Sequence, residues 1–81
     1  MICFTEEFKN SYKSLTKADQ KKVDEKLKLF IQNPHHPSLR TKKIQSLEFI
    51  WEASVSMKIR FTWSYYEDGV LLRTIGYHDI L

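Results

Sequence analysis

Cysteine, glycine and proline are all scarce in this chain of 81 residues, and each scarcity closes off an option. The single cysteine, Cys3, can form no internal disulfide and no paired-cysteine redox or zinc motif. The two glycines, Gly69 and Gly76, are too few for a glycine-rich phosphate loop or a nucleophile elbow. The two prolines, Pro34 and Pro37, sit in one short stretch, so no proline-rich linker divides the chain. No apolar run approaches the roughly 18 residues of a membrane span. No signal-peptide pattern precedes Cys3, so a reducing cytoplasm is the expected location. His35-His36 has no second ligand set nearby in sequence, so neither a metal nor a cofactor is expected.

What is present suits one folded domain over residues 1–81. The chain is 42% hydrophobic and 14% aromatic, the composition of a folded domain. Its charge is uneven. Residues 1–45 hold ten Lys/Arg and five Asp/Glu, whereas residues 46–81 hold three and five, so balances of +5 and −2 give the net +3. A basic half suits a polyanion or an acidic protein partner, and equally a solvated lysine-rich helix face.

The apolar pattern predicts the order β-α-α-β-β-β. Ile2-Cys3-Phe4 reads as a strand. Thr5 can cap a helix whose stripe is Phe4, Phe8, Tyr12 and Leu15. Thr16 can cap a second, with Asp19 in its first turn and Val23, Leu27, Phe30 and Ile31 as its stripe. Lys21, Lys22, Lys26 and Lys28 fall off that stripe, and Asn33-Pro34 ends the helix. His35-His36-Pro37-Ser38 reads as a loop, and Leu39 to Lys43 leads into the second half with four polar residues. The period then becomes two. Trp51, Ala53 and Val55 alternate with Glu52 and Ser54, and Ile59, Phe61, Trp63 and Tyr65 alternate with Arg60, Thr62, Ser64 and Tyr66. Glu67-Asp68-Gly69 is a hairpin signal, with Asp-Gly suited to positive backbone angles, and Val70 to Ile75 is the third strand of the meander. The fold class is α+β: a helical hairpin on one face of a small, mainly antiparallel twisted sheet. The other face is left polar, with Glu52, Ser54, Arg60 and Thr62.

Two arginines inside strands stand out, because arginine is costly to bury without a partner or a use. Arg60 can pair with Glu52 across the sheet or hold a phosphate through its planar fork. Arg73 shares a face with Leu71 and Ile75 by alternation, so it either snorkels at an edge or adds a second positive charge. His78 follows the last strand, with Asp79 beside it, and histidine is the side chain type able to exchange a proton near neutral pH. It suits proton transfer to a leaving 5′ oxygen or from a 2′ hydroxyl. Tyr77 is a stacking platform for a base or an ordinary rim aromatic. Arg40, Lys42 and Lys43 suit backbone phosphates or a solvated loop.

These patterns together resemble the RelE/ParE superfamily of bacterial toxins, near the RelE-like messenger-RNA interferases. The resemblance spans essentially the whole chain. It rests on the element order and on Ser38-Leu39-Arg40-Thr41-Lys42-Lys43-Ile44, Ile50-Trp51-Glu52-Ala53-Ser54-Val55-Ser56-Met57, Ile59-Arg60-Phe61-Thr62-Trp63 and Leu72-Arg73-Thr74-Ile75-Gly76-Tyr77-His78-Asp79-Ile80-Leu81. It implies a toxin of a type II toxin-antitoxin system that cuts messenger RNA without a metal, commonly in the ribosomal A site. It also implies a cognate antitoxin, offering an acidic or amphipathic segment. Arg60 matches the arginine that binds the scissile phosphate, His78 matches a catalytic position after the last strand, and Lys42 and Lys43 match a basic region that contacts RNA. RelE itself has lysines at the positions of Glu52 and Ser54. Two other functions fit the same resemblance: a ParE-type toxin directed at DNA gyrase, and a relative without catalysis that only binds a protein partner.

Overall fold

A computed structural model of the chain describes residues 2–44 and 49–77. Strand β1 is Ile2–Phe4, helix α1 is Glu6–Lys13 and helix α2 is Lys17–Gln32. A 3-10 turn at Pro37–Leu39 leads into β2 (Lys42–Lys43), β3 (Trp51–Ser54), β4 (Ile59–Tyr66) and β5 (Gly69–Tyr77). The expected order holds, with one addition: the basic loop contains a two-residue strand. Lys42 and Lys43 pair antiparallel with Glu52 and Trp51. Two charged residues give no alternation to read, so this strand exists through its partner and not through its own propensity.

Both helix starts follow from their caps. The Thr5 hydroxyl accepts from Phe8 N at 3.0 Å, and the Thr16 hydroxyl from Asp19 N at 3.1 Å. Each satisfies a backbone donor that the first helical turn leaves without a partner. The connection between the helices is short, so they fold back as a hairpin.

The five strands form one sheet in the order β1-β5-β4-β3-β2. Only the β1–β5 pair is parallel. Parallel neighbours need a long crossover, and α1, α2 and the meander supply it. The two-residue loop of the β4–β5 hairpin is Glu67-Asp68, because Gly69 already pairs with Tyr66. The positive backbone angle falls on Glu67 (φ 52°) and not on the Asp-Gly pair.

The core lies between the helices and one sheet face. Phe8, Leu15, Val23 and Phe30 meet Ala53, Ile59, Phe61, Trp63, Leu72 and Ile75, all buried. Phe30 packs edge-on against both Phe61 and Trp63, at 5.3 and 5.0 Å between ring centres. Such aromatic contacts add about 0.5–1.5 kcal/mol each beyond area burial. Three members of the expected stripes, Phe4, Ile31 and Tyr65, lie outside this core. Ile31 is 62% exposed, since its neighbour Phe30 takes the inward position, and Tyr65 is 57% exposed. Tyr65 lies against the edge of Trp63 and accepts or donates a hydrogen bond at 3.0 Å with His35 Nε2.

Candidate functional site

Arg60 lies on the sheet face that the helices leave open. Its neighbours in sequence, Ile59 and Phe61, point inward and are fully buried, so strict alternation turns Arg60 outward. Across the sheet it stands in register with Ser54 on β3 and Gly76 on β5. The next rung is Glu52, Thr62 and Thr74, with the two threonine hydroxyls bonded at 2.7 Å. A methyl group added at Gly76 would meet no atom within 4 Å, so the space beside Arg60 is open.

The guanidinium is oriented but only partly engaged. Nη1 donates to the carbonyl oxygens of Ser56 (2.7 Å) and Met57 (3.3 Å). Nε lies 3.9 Å from Glu52 Oε1, and the Lys42 ammonium lies 3.8 Å from the same oxygen. The Arg60 and Glu52 side chains are 17% and 16% exposed. At 3.9 Å the Arg60–Glu52 contact is an ion pair beyond hydrogen-bond range, and not a bidentate clamp. Sheltering both charges offsets much of their Coulomb attraction, so the pair orients the guanidinium more than it stabilises the fold. Glu52 therefore steadies Arg60 and offsets part of its charge, while Lys42 restores the local balance to +1. The buried stem, the two carbonyls and the carboxylate hold the fork in place, and an incoming anion meets a largely preset donor.

A second group of cations lies around the edge of the sheet. A cleft of about 170 Å³ is lined by Lys26, Ser38, Arg40, Ser54, Val55, Ser56, Met57 and Arg60. Arg40 reaches it from the turn after α2. That turn is fixed by fully buried Leu39, and by His36 Nδ1, which accepts from Ser38 N at 3.1 Å. Arg40 itself closes the turn in the left-handed region (φ 49°), a conformation uncommon outside glycine and asparagine. The Ser56 hydroxyl is buried with no hydrogen-bond partner among the described residues.

The remaining predicted residues disperse. Lys42 shares the polar face with Glu52, while Lys43, opposite Trp51, projects to the other side beside Phe49, Trp51 and Tyr65. The two lysines thus do not act as one patch. Arg73 is exposed and falls at a β-bulge: Thr62 pairs with Thr74 but Trp63 pairs with Leu72, leaving Arg73 unmatched. The alternation expected there therefore breaks, since Leu72 and Ile75 both point inward and Leu71 does not share their burial. Thr5 secures the bulge by donating its backbone N–H to Leu72 O and its hydroxyl to Arg73 O. Tyr77 pairs with Ile59, which puts it on the helix side of the sheet and across from Arg60. Its hydroxyl donates to Asp19 at 3.0 Å, and Lys58 lies 5.9 Å from its ring centre. The hydrogen bond to Asp19, with burial and the carboxylate charge, raises the Tyr77 pKa. His78, with its neighbour Asp79, lies outside the described residues. His35 stacks edge-on against Trp51 and Trp63, and His36 caps the 3-10 turn, so both loop histidines have packing roles. Among the described residues no group of three potential ligands could hold a metal. No helix there is long and apolar enough to cross a membrane.

Sequence patterning missed Lys26 and the serines of the cleft. The only signal for Lys26 was that it lies off the apolar stripe of α2, a property it shares with lysines that line no cleft.

No family model matches the chain, and no curated protein matches it. Solved structures do. A chain of the DinJ–YafQ toxin–antitoxin complex of E. coli is similar at a TM-score of 0.82 and 17% identity, over 100% of this chain and 94% of that one. A YoeB/ParE toxin from Agrobacterium tumefaciens is similar at a TM-score of 0.79 and 13% identity, over 95% and 96%. A chain of the RelB–RelE antitoxin–toxin complex of Methanococcus jannaschii is similar at a TM-score of 0.76 and 15% identity, over 96% and 92%. At these identities the likeness is one of fold: the chain shares the α+β architecture of these solved toxin structures.

Proposed function

We propose that the protein is the toxin of a bacterial toxin–antitoxin pair and a metal-independent endoribonuclease that cuts messenger RNA, with the ribosome as the place where the message is engaged. The observation that carries this reading is Arg60: a partly sheltered guanidinium, preset by two carbonyls and Glu52, opening onto a bare polar sheet face beside a basic cleft. The fold shared with chains of toxin–antitoxin complexes supports the same reading.

In the proposed reaction the 2′ oxygen of one nucleotide attacks the phosphorus 3′ to it. The 2′ proton passes to a base, and the P–O5′ bond breaks. A proton is delivered to the departing 5′ oxygen, leaving a 2′,3′-cyclic phosphate and a 5′ hydroxyl. Arg60 stabilises the charge that accumulates on the phosphoryl oxygens, an effect typically worth 10²–10³ in rate for one well-aimed donor. His78 moves a proton, and Arg73 adds positive charge from the bulge. Lys42 and Arg40 hold backbone phosphates along the two approaches to Arg60 and Lys43 holds one from the other face, while Tyr77, on the helix side and bonded to Asp19, stands apart from that path.

The antitoxin reading has a physical counterpart in the helix layer. Phe4, Phe8, Tyr12 and Leu27 line an apolar groove of about 340 Å³, with Lys9, Lys13 and Asp24 as its charged lining. An amphipathic segment fits that chemistry, with an acidic group facing the two lysines. A second reading, binding without catalysis, is favoured by the Glu52 carboxylate that offsets part of the Arg60 charge.

The test is induction in a host lacking the antitoxin, with messenger-RNA ends mapped. New ends within coding regions, in frame with codons, are expected. Intact messages with DNA-damage signalling would turn the account to gyrase, and intact messages without growth arrest to a binding module.

A further inference from the structure

Lys26 stands on α2, far in sequence from Arg40 and Arg60, yet all three line one cleft. Its other walls are Ser38, Ser54, Val55, Ser56 and Met57, so among the described residues no acidic side chain lines it. Glu52 touches Arg60 from the sheet face and does not enter. Among the described residues Lys26 and Arg40 have no carboxylate in the cleft, and Arg60 is only partly offset by Glu52 outside it, so an anion among the three would relieve their repulsion. The Ser56 hydroxyl beside the cleft is sheltered from solvent, so a phosphate there would be met by the cations.

The arrangement differs from the solvated lysines elsewhere on α2. Lys21, Lys22 and Lys28 are exposed, whereas Lys26 is partly buried against the cleft. The backbone of Arg40 is set by its left-handed turn beside buried Leu39, which places the base of its side chain at the opposite wall. Arg60 is common to this cleft and to the open sheet face, so a strand lying across Arg60 continues into the cleft.

We infer that the cleft is a second phosphate subsite, in which Lys26 and Arg40 grip the backbone phosphodiester of single-stranded RNA adjacent to the one at Arg60. This rests on the nuclease reading for the identity of the strand. It assigns Lys26, a residue far from the sheet motifs, to RNA positioning, and it makes the bound unit at least two consecutive phosphates long. Contacts of this kind carry no base preference, so they set register and affinity and not sequence choice.

The experiment is direct binding of a fully 2′-O-methylated single-stranded RNA octamer, which cannot be cut, over a range of potassium chloride concentrations. The proteins compared are the wild type, Lys26→Ala and Lys22→Ala. Loss of one phosphate contact should lower the slope of log affinity against log salt by about 0.7 for Lys26→Ala. Affinity at low salt should fall several-fold, while Lys22→Ala keeps the wild-type slope. Equal slopes for the two lysine variants would overturn the subsite and leave the nuclease reading standing. A wild type that does not bind the octamer even at the lowest salt would also overturn the subsite, while the nuclease reading is decided separately by the mapped message ends.

Discussion

The two faces of the sheet are built from the same strands and obey opposite rules. Along β4, Ile59, Phe61 and Trp63 face the helices and are fully buried, while Arg60 and Thr62 between them face outward and stay partly exposed. The inner face is closed by interlocking aromatics, so its residues are fixed by volume. The outer face is held by sparse polar contacts: two carbonyls and one carboxylate around Arg60, and one hydroxyl pair between Thr62 and Thr74. A face that stabilises the fold through volume tolerates little change. A face that contributes little to stability is where residues can be kept for chemistry. If this division is right, stability and activity can be varied almost independently by mutating neighbours in one strand.

The largest effect belongs to the inner face. Phe61→Ala should cost about 3–5 kcal/mol, because Phe61 is fully buried between Phe8 and Phe30 and nothing can collapse into its place. Urea denaturation should report this loss, which for a domain this small is a large part of its total stability. Gly76→Val probes the outer face in the reverse sense. The added side chain meets open space, and a β-branched residue suits a strand better than glycine does, so stability should rise by up to about 1 kcal/mol. RNA cleavage should nevertheless fall on the order of tenfold or more, since the valine occupies the space beside Arg60 where the phosphate must approach. A variant both more stable and fully active would break the comparison. Thr16→Ala should cost about 1 kcal/mol by removing the cap of α2, with cleavage by the folded fraction unchanged.

The smallest effect lies in the alkaline range. The hydrogen bond from Tyr77 to Asp19 favours the neutral phenol and raises its pKa. Tyr12 is raised in the same way by its hydrogen bond to Asp24. A raised folded-state pKa gives stability that is fully present below the unfolded value of about 10 and is lost as pH climbs through the folded value. Tyr77→Phe should therefore flatten part of the decline in urea midpoint above about pH 10, leaving the share due to Tyr12. An unchanged decline would mean that Tyr77 does not sense Asp19.

How much of this could be read from residues alone depends on whether the signal was local. Thr5 and Thr16 were legible as caps, because a cap needs only the residues that immediately follow it. The outward placement of Arg60 was legible because alternation holds through Thr62. It fails on the partner strand, where the bulge at Arg73 inserts one extra residue that no periodicity announces. The hairpin before β5 was located correctly, but its positive angle fell on Glu67 and not on the Asp68-Gly69 pair. Lys42–Lys43 became a strand only through pairing with β3. The cleft around Lys26 was invisible for the same reason, since its walls come from α2, the turn after it and the end of β3, which meet only in the folded chain. Tyr77 was readable as an aromatic near the site, but its pairing with Ile59 and its bond to Asp19 put it across the sheet from Arg60.

The central claim is that the chemistry lives on the open face and is carried by Arg60 apart from the fold. The most direct test is Arg60→Ala, followed for thermal stability and for messenger-RNA cleavage in the same preparation. The account predicts cleavage reduced about 10²–10³-fold. It predicts a protein that still folds cooperatively, with a melting temperature lowered by loss of the Glu52 contact and of the hydrogen bonds to Ser56 O and Met57 O but with its helix-side core intact. Cleavage retained at the wild-type rate in a folded Arg60→Ala protein would contradict it.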